Sequence, residues 1–155
     1  WSTPFRRTSL KALQSLVPKG IRETSKKRKI IFAKRTEGRE RNPLNQGDIE
    51  TFLTREYGVN LVDFSKLNFE EQIILARNCS VLIGVNGAEF ANMIFMKPDS
   101  HIIEIVPPWF SLPVTQIIET PSKALGFKYS RIIGTPSSDS SYDVPLADFY
   151  ALLTK

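Results

Sequence analysis

One stretch limits what this chain can fold into more than any other: SVLIGVNGAEFANMIFMKPDSHIIEIVP, from Ser80 to Pro107. A short apolar run (Val81, Leu82, Ile83) leads into the turn Gly84-Val85-Asn86-Gly87-Ala88. An apolar segment of helical character, Glu89 to Met96, comes next. A Lys97-Pro98-Asp99-Ser100 break then separates it from a second apolar run, Ile102 to Val106. Parallel strands need a crossover between them, so strand, turn, helix, turn, strand in this order predicts a βαβ unit. In open α/β sheets ligands bind beyond the carboxyl ends of the strands, which is where Asn86-Gly87-Ala88 falls. A helix beginning there offers unpaired N–H groups and the positive end of its dipole to an anion. Gly87 lacks the side chain that would keep a ligand away from the backbone.

The flanking segments repeat the alternation. Phe5 to Val17 places Phe5, Leu10, Leu13, Leu16 and Val17 at helical spacing, and Pro18-Lys19-Gly20 ends the segment. The basic run Lys26-Lys27-Arg28-Lys29 reads first as a solvated lead-in to a strand. Its other use is a contact for RNA or an acidic protein. Ile30 to Ala33 has the pattern of a strand buried on both faces. Lys34 to Gln46 is a polar loop carrying Arg35, Arg39 and Arg41. A helix from Gly47-Asp48 to Tyr57 follows, with Asp48 as its N-cap and Gly58 as its stop.

Asn60 to Phe64 reads as the second strand, and Asn68 to Asn78 as a helix with Phe69, Ile73, Ile74 and Ala76 inside. Leu112 to Leu125 is expected as a helix broken by Pro121. Phe127 to Ile133 would be a fifth strand, Thr135 to Asp143 a Ser/Pro-rich loop, and Val144 to Leu153 a closing helix. Alternation of this kind predicts an α/β domain with a doubly wound parallel sheet of about five strands. A single domain is expected over 1–155: an N-terminal helix and basic connector over 1–28, a sheet core over 29–133, and a loop with a C-terminal helix over 134–155. An opening Trp1 rather than methionine is expected of a processed product or a piece of a longer protein.

Composition narrows the chemistry. A net charge of +5 suits an anionic partner, whether nucleotide phosphate, nucleic acid or acidic protein. One histidine (His101) and one cysteine (Cys79) argue against a zinc site and against a Ser/His or Cys/His nucleophile. Cys79 precedes a buried strand and reads as an inert core thiol. No metal site is expected, and no apolar run approaches the ~20 residues of a membrane span.

Two clusters should meet at one sheet edge, because both follow parallel strands: the arginine loop and the Gly84–Ala88 turn. Guanidinium groups bind phosphate bidentately, so the pair makes a diphosphate cradle. Glu104 lies inside an apolar strand, where a carboxylate is costly unless paired; the readings are a bond to an arginine or a ribose hydroxyl, or a wet place near the strand end. Asn86 is a turn residue by type. The glycines match neither G-x-G-x-x-G nor a P-loop.

Phe69-Glu70-Glu71-Gln72-Ile73 with Ala76, Val81 to Ala88, Asn92-Met93-Ile94-Phe95-Met96-Lys97-Pro98 and Ile102-Ile103-Glu104-Ile105 together resemble the C-terminal half of family-61 glycosyltransferases. The arginine loop is similar too, as Arg35-Thr36-Glu37-Gly38-Arg39 with Asn45 downstream and its spacing altered around Arg41-Asn42-Pro43. The resemblance implies a Rossmann-like domain of the GT-B C-terminal-half type, facing a second half or a protein partner across a cleft. It implies a UDP-sugar donor, no other cofactor, and inverting transfer of the sugar to a protein or glycan hydroxyl. Nucleotide-sugar-binding positions carried over are Arg35, Arg39, Asn45, Asn86, Gly87, Ala88 and Glu104; no catalytic residue is assigned. The implied compartment is the ER/Golgi lumen, with an organelle such as the mitochondrion as the alternative.

Asn86 stands where that family has histidine, and Glu89 where it has glycine. Asparagine cannot carry a proton near neutral pH, and a carboxylate at Glu89 would repel a phosphate. The alternative reading is therefore a non-catalytic domain of the same fold, a basic structural or interaction subunit of a ribonucleoprotein or organellar assembly.

Overall fold

The computed structural model describes residues 7–15, 17, 29–35, 41–137 and 140–154. Five parallel strands form one sheet: β1 (Lys29–Ala33), β2 (Asn60–Val62), β3 (Cys79–Val85), β4 (His101–Val106) and β5 (Lys128–Ile133). Their spatial order is β2-β1-β3-β4-β5. The direction of winding reverses between β1 and β3, and that reversal opens a crevice at the carboxyl ends of those two strands.

Alternation along the strands sorts the core into two layers. Phe32, Ile83, Ile103 and Ile132 face one way and pack with Ile49 and Leu53 of α2 (Gln46–Tyr57) and Phe149 of α5 (Leu146–Leu153). Ile31, Ala33, Leu82 and Ile102 face the other. They meet Leu10 of α1 (Arg7–Ser15), Ala76 of α3 (Phe69–Arg77) and Ile118 of α4 (Leu112–Ala124). Helices on both faces make this the doubly wound, Rossmann-like sheet that the sequence predicts. All six β4 residues are buried, as a central parallel strand requires.

Several boundaries differ from the sequence reading, each for a local reason. Asp63 accepts hydrogen bonds from the Ser65 N–H (3.0 Å) and hydroxyl (2.5 Å), turning the chain into a short 3₁₀ turn, Phe64–Lys66. The second strand therefore stops at Val62. The Asn45 position, not Asp48, precedes the first turn of α2, which puts Asp48 inside the helix. Gly58 does end it, in the left-handed conformation (φ 61°). Phe69 is 65 % exposed rather than inside, at the first position of α3, and stacks edge-on against Phe95. Asn68 and Glu71 form a reciprocal capping box there (3.0 and 2.8 Å).

α4 runs unbroken through Pro121, because the proline sits in the closing turn and removes only the donor that would reach the Ile117 carbonyl. The Ser/Pro-rich segment is not all loop. It holds a small antiparallel pair, β6 (Thr135–Pro136) and β7 (Tyr142–Asp143). Leu13 is 44 % exposed, while Phe5, Leu16, Lys26, Lys27 and Arg28 lie outside the described residues.

The expected helix after the glycine turn is a 3₁₀ helix, Ala88–Phe95. A three-residue repeat puts every third side chain on one line, and the buried residues Phe90, Met93 and Met96 follow that repeat. Phe90 packs over Gly84: a Cβ there would lie in ordinary contact with the Phe90 ring (3.5 Å) and press only on Ala33 Cβ (3.2 Å).

Candidate active site at the sheet switch point

The loops that leave the carboxyl ends of β1 and β3 meet at the crevice. The loop after β1 supplies Arg35 and Arg41. Both send an Nη1 donor to the Asn86 carbonyl, at 3.5 and 3.3 Å. Two cations on one carbonyl oxygen fix the arginine loop to the glycine turn, so the two clusters expected to meet do meet. Arg39, expected in the same role, lies outside the described residues.

The two arginines differ in their surroundings. Arg35 is buried, and its Nε lies 3.8 Å from Glu89 Oε1. The Glu89 side chain folds back over Gly87, where a Cβ would collide with its carboxylate. Glu89 Oε2 is buried with no hydrogen-bond partner among the described residues. Glu89 thus places a negative charge beside Arg35 at the point where a phosphate was expected. Arg41 is only half-buried.

The turn itself is wired into the sheet. Asn86 N–H donates to the Ile105 carbonyl (2.8 Å), and its side-chain amide donates to Glu104 Oε1 (2.5 Å). Glu104 is fully buried and also accepts from the Tyr129 hydroxyl. Arg131 Nε donates to that hydroxyl (3.1 Å), and its Nη2 pairs with Glu119 of α4 (2.8 Å). Burial holds the Glu104 carboxyl above its ordinary value, against the pull of the Tyr129 and Asn86 hydrogen bonds. The Tyr129 hydroxyl is raised as well, by burial first and then by the neighbouring Glu104. Glu104 therefore reaches the crevice through Asn86, its partners being an amide and a phenol.

Asn45 has a different occupation from the one expected. Its amide donates to the Val144 carbonyl (2.9 Å) and its oxygen accepts from Val144 N–H (3.0 Å), clamping the arginine loop to the chain after β7. Tyr142, fully buried, donates its hydroxyl to the Arg41 carbonyl (2.6 Å). Ala88 opens the 3₁₀ helix and also borders an apolar cavity of about 300 Å³ lined by Leu13, Phe69, Ala91, Ile94 and Phe95.

The groups set aside by the sequence stay aside. Burial pushes the Cys79 thiol up to about 12, so it remains protonated and inert. His101 starts β4 at the far end of the sheet, facing Ser130 (2.9 Å), and burial followed by the Lys128 charge pushes it down to about 4. Sequence reasoning missed Tyr129, Arg131 and Tyr142. Tyr129 and Arg131 were visible only as alternate residues of an amphipathic strand, and their pairing with Ile102 and Glu104 needs the register.

The parallel sheet reverses at β1/β3, where arginines meet a glycine turn. The glycosyltransferase 61 family model matches residues 1–103. The chain belongs to the glycosyltransferase 61 family. No curated protein sequence matches it. In this glycosyltransferase 61 domain the matched residues take in β1, β2, β3, the 3₁₀ helix and the start of β4. Tyr129, Arg131 and Tyr142 lie beyond the match. Among the described residues no helix is long and apolar enough to cross a membrane.

Proposed function

We propose that this domain is the nucleotide-sugar-binding half of an inverting glycosyltransferase of the GT-B type, passing a sugar from a UDP-sugar to a protein or glycan hydroxyl. The observation that carries the reading is the convergence of Arg35 and Arg41 on the Asn86 carbonyl at the switch point. Membership of the glycosyltransferase 61 family supplies the nucleotide-sugar chemistry. The donor diphosphate would lie along Arg41 and, with the Glu89 side chain swung off Gly87, the Gly87–Ala88 backbone, where developing negative charge on the leaving group meets guanidinium and amide donors. A second Rossmann-like half or a partner protein would close the cleft and bring the acceptor.

Thermal unfolding of the domain with and without UDP tests this. A ligand held only by the folded state stabilises it by about 2.7 kcal/mol at a hundredfold excess over Kd, so the melting temperature should rise by several degrees. An unchanged melting temperature at millimolar UDP and UDP-sugar sinks the proposal.

One observation favours a second reading, a non-catalytic domain whose crevice is closed by its own side chain. Glu89 already neutralises Arg35, and Asn86 is tied to Glu104. Here Glu89→Gly would free an anion seat that the natural chain keeps shut. UDP should then leave the wild-type melting temperature unchanged and raise that of Glu89→Gly, further still with Asn86→His. On this reading the basic run Lys26-Lys27-Arg28-Lys29 serves RNA or an acidic protein.

A further inference from the structure

The loop that leaves β4, residues 107–110, stands next to the glycine turn, because Asn86 N–H is bonded to the Ile105 carbonyl. Pro107 and Pro108 restrict it, and Phe110 N–H closes it back on the Pro107 carbonyl (3.1 Å). Its two aromatic residues have different settings. The Phe110 ring centre lies 5.9 Å from the Arg41 guanidinium carbon. Trp109 is 49 % exposed and contacts Tyr142 edge to face, ring centres 5.5 Å apart at 83°.

Tyr142 joins these parts. Buried completely, it touches the Trp109 ring and donates its hydroxyl to the Arg41 carbonyl. Gly134 makes the space for it, since a Cβ at that position would fall within the Tyr142 ring. Arg41 is held at φ 79°, a left-handed conformation costly for a residue with a side chain. The fold therefore places one cation in a strained conformation, donating to the glycine turn with one face over an aromatic ring. A half-exposed indole stands beside it on the same buried support.

A guanidinium and an open indole at one rim match a ligand with a negative group and a planar ring. We propose that Arg41 and Trp109 form a nucleoside-phosphate clamp, with the phosphate on Arg41 and the base stacked on Trp109. The clamp rests on the donor-site reading above and adds to it the residues that select a nucleotide over a bare anion. Trp109, Phe110 and Tyr142 all lie beyond the residues that match the family.

Titration of the domain with UDP and with inorganic pyrophosphate, read by tryptophan fluorescence and by calorimetry, tests the clamp. UDP should quench the emission and pyrophosphate should not, and the quench should vanish in Trp109→Phe, which leaves Trp1 as the only indole. Trp109→Ala should weaken UDP roughly tenfold, from base–aromatic stacking, and leave pyrophosphate within about twofold. Trp109→Phe should keep most of the UDP affinity, and Arg41→Met should weaken both ligands. Equal loss of UDP and pyrophosphate in Trp109→Ala, or no loss of either, overturns the clamp. Pyrophosphate binding with no preference for UDP overturns the clamp and leaves the anion seat standing. Binding of neither ligand, in the wild type or in Glu89→Gly, removes the donor-site reading and the clamp with it.

Discussion

Two loops leave neighbouring strands at the same edge of the sheet and use their side chains in opposite ways. The turn after β3 is closed on itself and on the protein: Asn86 is bonded to Glu104, and Glu89 is set against Arg35. The loop after β4 is open, with Trp109 half exposed over a buried tyrosine. The closed turn is the part that the family resemblance points to, whereas the open loop lies outside the family match. The motif residues therefore form the frame of the crevice, and the open aromatic surface beside it comes from the neighbouring loop.

Substitutions at three positions can break or sharpen that contrast. The largest effect is expected for Tyr142→Ala, which empties a fully buried aromatic site beneath Trp109 and Arg41. Urea unfolding should show a loss of about 3–5 kcal/mol. A loss below about 1 kcal/mol would mean that the open loop has no rigid backing.

Next comes Glu104→Ala, which removes the acceptor of both the Asn86 amide and the Tyr129 hydroxyl and should cost about 2–3 kcal/mol. Glu104→Gln adds a pH signature. Burial raises the carboxyl on folding, so its stabilising share is complete below the unfolded value and is lost as pH rises through the folded one. The stability of the wild type minus that of Glu104→Gln should therefore decline as pH climbs out of the glutamate range. A difference that grows instead would mean that the Tyr129 and Asn86 hydrogen bonds and the Arg131 charge outweigh burial and hold the carboxyl below its unfolded value.

The smallest effect is expected at the outer end of the same wiring. Lys123 is exposed and pairs with Glu119 one helical turn earlier, so Lys123→Met should change stability by about 0.3 kcal/mol. A loss above about 1 kcal/mol would show that the chain from Glu104 to Lys123 acts as one unit rather than as a buried core with a solvated tail.

The sequence shows clearly what rests on short-range pattern. Ile30–Ala33, Val81–Ile83 and Ile102–Val106 announce themselves as doubly buried strands because nothing polar interrupts them except Glu104. Gly58 is legible because a left-handed stop favours that residue, and the turn because its glycines interrupt an apolar run. Meeting of the arginine loop with the turn follows from parallel strands alone. What stays hidden depends on register or on distant partners. Phe69 looks like a core residue by type and becomes a surface aromatic by its place at a helix start. Glu104 is conspicuous, yet its partners Asn86 and Tyr129 come from the two flanking strands' segments, and only strand pairing identifies them. Tyr142 sits in a Ser/Pro-rich stretch whose two-residue strands carry no periodicity to read.

The Asn45 clamp on Val144 and the Tyr142 bond to Arg41 join positions 99 and 101 residues apart. During synthesis the first three strands can leave the ribosome and pair long before those partners exist. The arginine loop can reach Asn86 at that stage, whereas its second set of ties forms only after Tyr142 and Val144 emerge. A nascent chain stalled earlier would carry the sheet without a finished crevice.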